Sequence, residues 1–456
     1  MRNLMISVAG IRGIVGDNVT PDLFAQFAAT YGSFIGGVGK KVVVGRDTRV
    51  SGEMLKSAVI AGLVAVGCEV MDIGICPTPT VGIMVKKLKA AGGIVLSASH
   101  NPAEWNALKL VWNDGIFMDA ETGKKFLELF QENKIKYVPY NRLGKVIQYD
   151  QAIDQHINLV LSNIKPNIIK RKKFKVVLDT CNGAGAVIIP KLLEKLGCKV
   201  TLLNSALDGK FAHNPEPVPE NLVQLSKKVK AMKADLGIAT DPDVDRVAFV
   251  SEKGIPIGEE NTLALCVNYL LKKKSEVRSQ KSEKTVIVVN LSTSRMHDDL
   301  ADRYGAKVLR TKIGEANVAR KMVTEKNCLI GGEGNGGVIY PPIHYGRDAA
   351  TGIGLILESL ATSGKKVSEL VADIPQYQIV KEKFSYPREQ IPALIETAKQ
   401  QYKQEQINTL DGLKISYADS WVHIRSSGTE PVVRVIAEAK TKSAAQQLCK
   451  NIRDLV

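Results

Sequence analysis

Residues 175–200 read KVVLDTCNGAGAVIIPKLLEKLGCKV, and this stretch decides the fold. Lys175-Val-Val-Leu-Asp179 is a short β-branched run of the kind that forms a buried strand. The TCNGAGA loop follows, then IIPKLLEKL, whose apolar residues recur at helical spacing. Gly197 stands where such a helix would close, and Cys-Lys-Val200 begins a second extended run. Strand, Gly-rich loop, helix and strand make a βαβ unit with parallel pairing.

The same order of parts recurs on either side. Lys41-Val-Val-Val-Gly45 leads through RDTRVSG into an apolar helical stretch and then Gly67-Cys-Glu-Val70. Thr285-Val-Ile-Val-Val289 leads through NLSTS into MHDDLADRY and then Gly305-Ala-Lys-Val308. Duplication of one architecture explains this, with the general likeness of βαβ units as the plainer alternative. Beyond about residue 370 the texture changes. Helical patterns at 390–405 and 442–454 flank short strands at Leu413–Tyr417, Trp421–Arg425 and Val432–Ala437, which reads as a smaller α+β domain. The expected fold class is α/β: three similar α/β domains with mixed sheets (1–150, 151–256 and 257–370) and a C-terminal α+β domain (371–456). The basic runs Lys165–Lys173 and Lys272–Lys284 read as solvated connections between domains.

A chain of 456 residues, 45% hydrophobic, is long enough to bury several cores without staples. Its 62 Lys and Arg against 47 Asp and Glu give a formal charge of +15, which suits anionic company such as phosphates. The basic runs are not interleaved with aromatics as single-strand binders are, so no nucleic-acid partner is expected. Seven scattered cysteines, none in CxxC spacing, read as reduced thiols. The longest apolar stretch, Ala58–Cys68, is too short for a bilayer, and the N-terminus shows no secretory pattern. The expectation is a cytoplasmic protein with no membrane partner.

Four loops carry chemistry. In Leu96-Ser-Ala-Ser-His-Asn-Pro102 a strand ends in hydroxyls, at the sheet edge where open α/β folds bind ligands. Ser99, followed by His100 and later Lys109, reads equally as a nucleophile or as an ordinary turn. In Thr240-Asp-Pro-Asp-Val-Asp-Arg246, Asp241, Asp243 and Asp245 would repel one another without a cation among them. Oxygen-only ligands select a hard ion, Mg²⁺ beside a phosphate, and Arg246 would offset charge there. Gly331-Gly-Glu-Gly-Asn-Gly-Gly337 leaves Glu333 and Asn335 as its side-chain handles; a sugar-binding loop and a mobile surface turn fit it equally. Arg425-Ser-Ser-Gly-Thr-Glu-Pro-Val-Val-Arg434 brackets hydroxyls with guanidinium groups, a pattern suited to a phosphate dianion.

In order and spacing, SASHNP, DPDVDR and RSSGTEP resemble the α-D-phosphohexomutases, the group containing phosphoglucosamine, phosphogluco- and phosphomannomutases. The resemblance covers essentially the whole chain. It implies a heart-shaped, four-domain enzyme with one loop per domain converging on a central cleft. It further implies a phosphoserine at Ser99, and one Mg²⁺ held by Asp241, Asp243, Asp245 and the Ser99 phosphate. Glu333 and Asn335 fall on the family's sugar-binding loop, and Arg425, Ser427, Gly428 and Thr429 on its phosphate-binding loop, with Arg434 at that loop's end. Lys109 and Arg12 match acid/base and charge-stabilising positions, with His100 beside the serine. The segments Gly45–Arg49 and Arg310–Gly314, the latter containing Lys312, match supporting parts, as does Arg246.

The implied reaction moves a phosphoryl group between O6 and O1 of a hexose phosphate. It proceeds through a hexose 1,6-bisphosphate that also serves as activator, in a monomer or homodimer. GEGNGG lacks the His of the best-known glucosamine type, whereas RSSGTEP lies near that type's RPSGTEP, with Ser426 in place of Pro. Glucosamine 6-phosphate and 1-phosphate are the expected pair, with a dual gluco/manno enzyme as the alternative. Remoter readings are a phosphatase using Asp241 as nucleophile, whose DxDx[TV] pattern the fifth-position Asp breaks, and an inactive basic binding protein.

Overall fold

A computed structural model describes residues 4–7, 10–276, 284–426 and 432–455. The chain divides into two compact units: residues 1–269 with 335–371, and residues 270–334 with 372–456.

The first unit holds two mixed sheets. One has seven strands in the order Met5–Ser7, Gly10–Ile14, Trp105–Val111, Gly92–Leu96, Lys41–Arg46, Glu69–Ile75, Val146–Gln148. Lys41–Arg46 lies parallel to both its neighbours, as a βαβ crossover requires, while Trp105–Val111 runs antiparallel to Gly92–Leu96 and to Gly10–Ile14. The other sheet orders Val247–Ser251, Leu236–Thr240, Lys175–Asp179, Lys199–Leu203, with Lys175–Asp179 parallel to both its neighbours. The sequence 175–200 thus folds as its pattern dictates: strand Lys175–Asp179, helix Gly185–Lys195, strand Lys199–Leu203. Helix Ala349–Ser363 belongs to this unit. It is buried from Ala349 to Ala361, which explains its almost unbroken apolar sequence.

In the second unit Lys307–Thr311, Val286–Asn290 and Cys328–Glu333 pair in parallel in that order. A five-stranded antiparallel sheet orders Gln378–Ser385, Val432–Ala439, Trp421–Ser426, Leu413–Ser416, Gln406–Asn408. Helices Ile391–Gln401 and Lys442–Arg453 cover its core of Leu413, Ile415, Val422, Ile424, Val433 and Val435.

Three α/β portions and a smaller C-terminal α+β portion therefore stand as expected. The basic run Lys165–Lys173 does not stay a plain connection. Pro166–Lys172 is helical, with Pro at its first turn and Ile169 buried, because one apolar anchor suffices to seat a short helix. In the second basic run, helix Glu259–Ser275 extends through Lys274, and residues 277–283 lie outside the described part. All seven cysteines are free thiols. No helix among the described residues is long and apolar enough to cross a membrane.

Candidate active site

The Ser99 loop leaves the carboxyl end of strand Gly92–Leu96 and is held from below by Arg49. That guanidinium, 1% exposed, donates to the carbonyls of Ser99 (2.8 Å), Asn101 (2.7 Å), Pro102 (2.6 Å) and Trp105 (2.8 Å), and through Nε to Asp47 (3.1 Å). A rigid fork of five donors suits such a task, which a lysine could not perform. Ser97 Oγ donates to Asp47 and accepts from the Ser99 amide. Ser99 itself sits at φ +52°, a left-handed conformation uncommon for serine, so the loop and not the residue sets its direction. In the sequence, RDTR reads only as a supporting segment. Four carbonyl contacts from one side chain are a tertiary fact, and a polar run straight after a buried strand was the only available signal.

Asp241, Asp243 and Asp245 lie on the turn between strands Leu236–Thr240 and Val247–Ser251. All three are buried, and one oxygen from each falls within 4.8 Å of the others. The TCNGAGA loop of the neighbouring strand supports this turn. The Ala184 amide donates to Pro242 O, and a Cβ on Gly183 would lie 2.5 Å from Pro242 Cα. Only glycine permits that approach.

Around the triplet, Ser99 Oγ donates to Asp241 Oδ2 (2.9 Å) and the Arg246 amide to Asp241 Oδ1 (3.1 Å). Lys109 Nζ and Thr78 Oγ1 both donate to Asp243 Oδ2, each at 2.7 Å. Arg347 Nη2 donates to Asp245 Oδ2. Asp243 Oδ1 and Asp245 Oδ1 are buried with no hydrogen-bond partner among the described residues. Burial, then the charges of Asp245 and Asp243, push Asp241 well above the usual carboxylate range. Asp243 is held well below it: burial opposes its ionisation, but the Lys109 ammonium and the hydrogen bonds from Lys109 and Thr78 prevail. Buried oxygens without donors, in a cluster too crowded to ionise fully, fit a hard divalent cation.

Two further residues complete this constellation. Arg12, on strand Gly10–Ile14, donates from Nη1 to Asn101 Oδ1 (2.9 Å). Gly10 pairs with Lys109 and Arg12 with Ala107, so the alternation of strand side chains puts Arg12 and Lys109 on one face. His100 Nδ1 lies 3.4 Å from Ser99 Oγ. Burial, with the charges of Arg246 and Arg12, lowers its pKa to about 2, so the imidazole is neutral at physiological pH.

The second unit gathers Glu333 and the two arginines of the last loop. Glu333, 4% exposed, accepts from Asn290 Nδ2 (2.8 Å) and the Gly314 amide (3.0 Å). The reading of this segment as a mobile surface turn is therefore overturned: Cys328–Glu333 is a strand with a buried end. Arg425 and Arg434 face each other on adjacent antiparallel strands, and the Nε of each is buried without a partner among the described residues. Burial and then the Arg434 charge lower the pKa of Arg425, against the opposite pull of the Asp411 and Glu333 charges. Like charges directly opposite repel, and an anion between them would relieve that repulsion. Ser427, Gly428 and Thr429 lie outside the described residues. Lys312 is exposed in the turn after Lys307–Thr311. Asn335 belongs to the first unit, where its Oδ1 accepts from the Gly337 amide.

Comparison with known proteins places the chain in a family. Family models described as phosphoglucomutase/phosphomannomutase α/β/α domains I, II and III match residues 4–136, 154–254 and 259–377, and the C-terminal domain model matches 377–455. A phosphoglucomutase/phosphomannomutase of Thermococcus kodakarensis is 40% identical over 96% of this chain and 95% of its own. A phosphoglucosamine/phosphogalactosamine mutase of Sulfurisphaera tokodaii is 36% identical over 98% of each. The crystal structure of a phosphoglucomutase/phosphomannomutase family protein from Burkholderia thailandensis superposes with a TM-score of 0.83, at 26% identity over 99% of this chain and 97% of that one. The chain belongs to the phosphoglucomutase/phosphomannomutase family and is a phosphohexomutase, an isomerase acting by intramolecular phosphotransfer.

Proposed function

We propose that this phosphohexomutase interconverts glucosamine 6-phosphate and glucosamine 1-phosphate through phosphoserine 99 and a hexosamine 1,6-bisphosphate. One observation carries the reading: Ser99 Oγ stands 2.9 Å from Asp241, inside a triplet that keeps two buried carboxylate oxygens without donors. A bound Mg²⁺, held by Asp241, Asp243, Asp245 and the Ser99 phosphate, would supply charge neutralisation at the transferring phosphoryl group.

The chain's own residues do the rest. The bond between Ser99 Oγ and phosphorus breaks as the sugar hydroxyl oxygen bonds to phosphorus. The hydroxyl proton leaves the sugar, and Ser99 Oγ takes one up. The Lys109 ammonium beside Asp243 is the group equipped to donate a proton to the departing oxygen and, once neutral, to take one from the attacking hydroxyl, while neutral His100 stays next to Ser99 Oγ as a hydrogen-bond partner. Arg12 and Arg246 stabilise charge on the phosphoryl oxygens. Glu333 and Asn335 receive the sugar hydroxyls. Arg425 and Arg434, with Ser427, Gly428 and Thr429, hold the phosphate that is not reacting, and Lys312 supports that end. The bisphosphate then turns over and returns its other phosphoryl group to Ser99.

The RSSGTEP loop and the amino-sugar name of the 36% relative support the hexosamine pair. The name of the 40% relative favours a second reading, a dual gluco/manno enzyme. A coupled assay with glucosamine, glucose, mannose and N-acetylglucosamine phosphates, started with the matching bisphosphate, separates them. A kcat/KM for glucosamine phosphate at least tenfold above the others is the expected result. Preference for glucose and mannose phosphates would establish the second reading. Acid-stable phosphate on the Ser99 peptide is expected by mass spectrometry, and an acyl phosphate on Asp241 would overturn the serine mechanism.

A further inference from the structure

Val244, at the centre of the aspartate turn, has φ +62° and is completely buried. A β-branched residue in the left-handed region is strained and persists only where its surroundings over-determine it. Two helix beginnings do so. From one side, helix Thr78–Lys87 starts at the turn: the Thr78 amide donates to Asp243 O (2.9 Å) and its hydroxyl to Asp243 Oδ2. From the other, the Ala349 amide at the start of helix Ala349–Ser363 donates to Val244 O (3.0 Å), and Arg347 pairs with Asp245.

His156, on a third helix (Ala152–Ser162), ties these two beginnings together. Its Nδ1 meets Thr80 Oγ1 at 2.9 Å and its Nε2 meets Asp348 Oδ2 at 3.0 Å. Asp348 accepts only, so Nε2 carries a proton, and in that tautomer Nδ1 accepts from the Thr80 hydroxyl. Asp348 in turn caps its helix, accepting from the Ala350 and Thr351 amides and the Thr351 hydroxyl. Thr80 and His156 are wholly inaccessible and Asp348 nearly so. Each of the three belongs to a different helix end or face, and none touches a reacting group.

We propose that His156 is a positioning residue of the metal site, a strap that fixes the two helix beginnings between which Asp243, Val244 and Asp245 are clamped. This rests on the metal reading of the triplet. Groups that orient ligating side chains are worth about 10- to 100-fold in metal affinity when removed, and His156, one contact further back, falls at the lower end of that range. The test is calorimetric titration of the full-length enzyme with Mg²⁺ alone, beside melting temperatures. His156→Leu, which keeps bulk but loses both hydrogen bonds, should raise the Mg²⁺ Kd about tenfold or more. His156→Gln, which restores a donor towards Asp348, should recover part of that loss. Ile157→Ala, a buried neighbour on the same helix that leaves both His156 hydrogen bonds in place, should lower the melting temperature yet leave Kd within about twofold. An unchanged Kd in folded His156→Leu, or an equal loss in Ile157→Ala, overturns the strap. If His156→Leu does not fold, Thr80→Val cuts the same strap at its other end and is read by the same criterion. Asp243→Asn separates the two readings. Loss of Mg²⁺ there with none in His156→Leu removes only the strap, whereas wild-type affinity in Asp243→Asn removes the metal site and the strap together.

Discussion

The hydroxyl of Ser99 donates to Asp241 Oδ2 across 2.9 Å, joining two loops that are 142 residues apart in sequence and rise from the carboxyl ends of two different sheets. Ser99 and the aspartate triplet therefore meet only because both sheets present those ends to each other. On the proposed phosphoserine route, Ser99→Ala should cut turnover by about 10³-fold or more, because the phosphoryl carrier is removed. Its melting temperature should stay close to wild type, because Arg49 grips the loop through backbone carbonyls that the substitution leaves in place. Steady-state kinetics and a thermal melt check both halves, and turnover near wild type would remove serine from the mechanism.

The left-handed backbone at Val244 has a measurable cost. At an extended, fully buried valine such as Val288, truncation to glycine costs roughly 2–4 kcal/mol from lost burial, the cavity left behind and glycine's extra backbone freedom. At Val244 the same truncation also relieves left-handed strain of about 1–3 kcal/mol, which alanine, keeping its Cβ, would not. Val244→Gly should therefore destabilise by at least about 1 kcal/mol less than Val288→Gly in urea unfolding. Equal losses at the two positions would show that the turn is unstrained.

Arg425 and Arg434 oppose each other with both Nε atoms buried and unpartnered among the described residues. Inorganic phosphate should raise the melting temperature of the wild-type enzyme by linkage. Arg425→Gln should abolish most of that rise, leave the phosphate-free melting temperature unchanged or slightly higher, and raise KM for the sugar phosphate about 10- to 100-fold. A variant that melts lower without phosphate and still responds to it would mean that the pair is structural.

Loss of stability in acid follows from buried histidines that resist protonation, His100 among them. Burial lowers the pKa of His297, His344 and His423 from 6.5 to about 4 each. Between pH 6.5 and 4 the unfolded chain binds protons that the folded chain refuses, so stability falls as pH falls through that window. Each group contributes up to about 1.4 kcal/mol per pH unit. His213 has the opposite sign. Despite burial, its hydrogen bonds to Asp179 and Cys181 raise it to about 11, so its contribution is complete below pH 6.5 and is lost as pH rises towards 11. Urea unfolding at pH 7.5, 6.5, 5.5 and 4.5 should show a steep decline below 6.5, shallower in His344→Asn. A flat profile from 7 to 5 would contradict the buried neutral histidines.

Much of this was open to reading before any coordinates. Period-two and period-3.6 patterns are local, so strands at Lys41, Lys175 and Val286 and helices at Ile391 and Lys442 could be drawn from residue order alone. The edge strands Gln378–Ser385 and Gln406–Asn408 could not, because half-exposed edges carry little hydrophobic signal. The helix at Pro166–Lys172 escaped for a related reason: seven residues with a single buried anchor are too few to show a period.

By itself the sequence determined which residue types stand at each strand end: hydroxyl, carboxylate triplet, glycines, paired arginines. Composition and spacing along a chain encode those directly. Only the tertiary structure decided what holds them. Arg49 gathers four carbonyls, Gly336 packs where an added Cβ would lie 2.6 Å from Val247 O, and His156 reaches from its own helix to two others. Such contacts join residues tens to hundreds of positions apart. No local pattern constrains them; they exist only once the elements have packed.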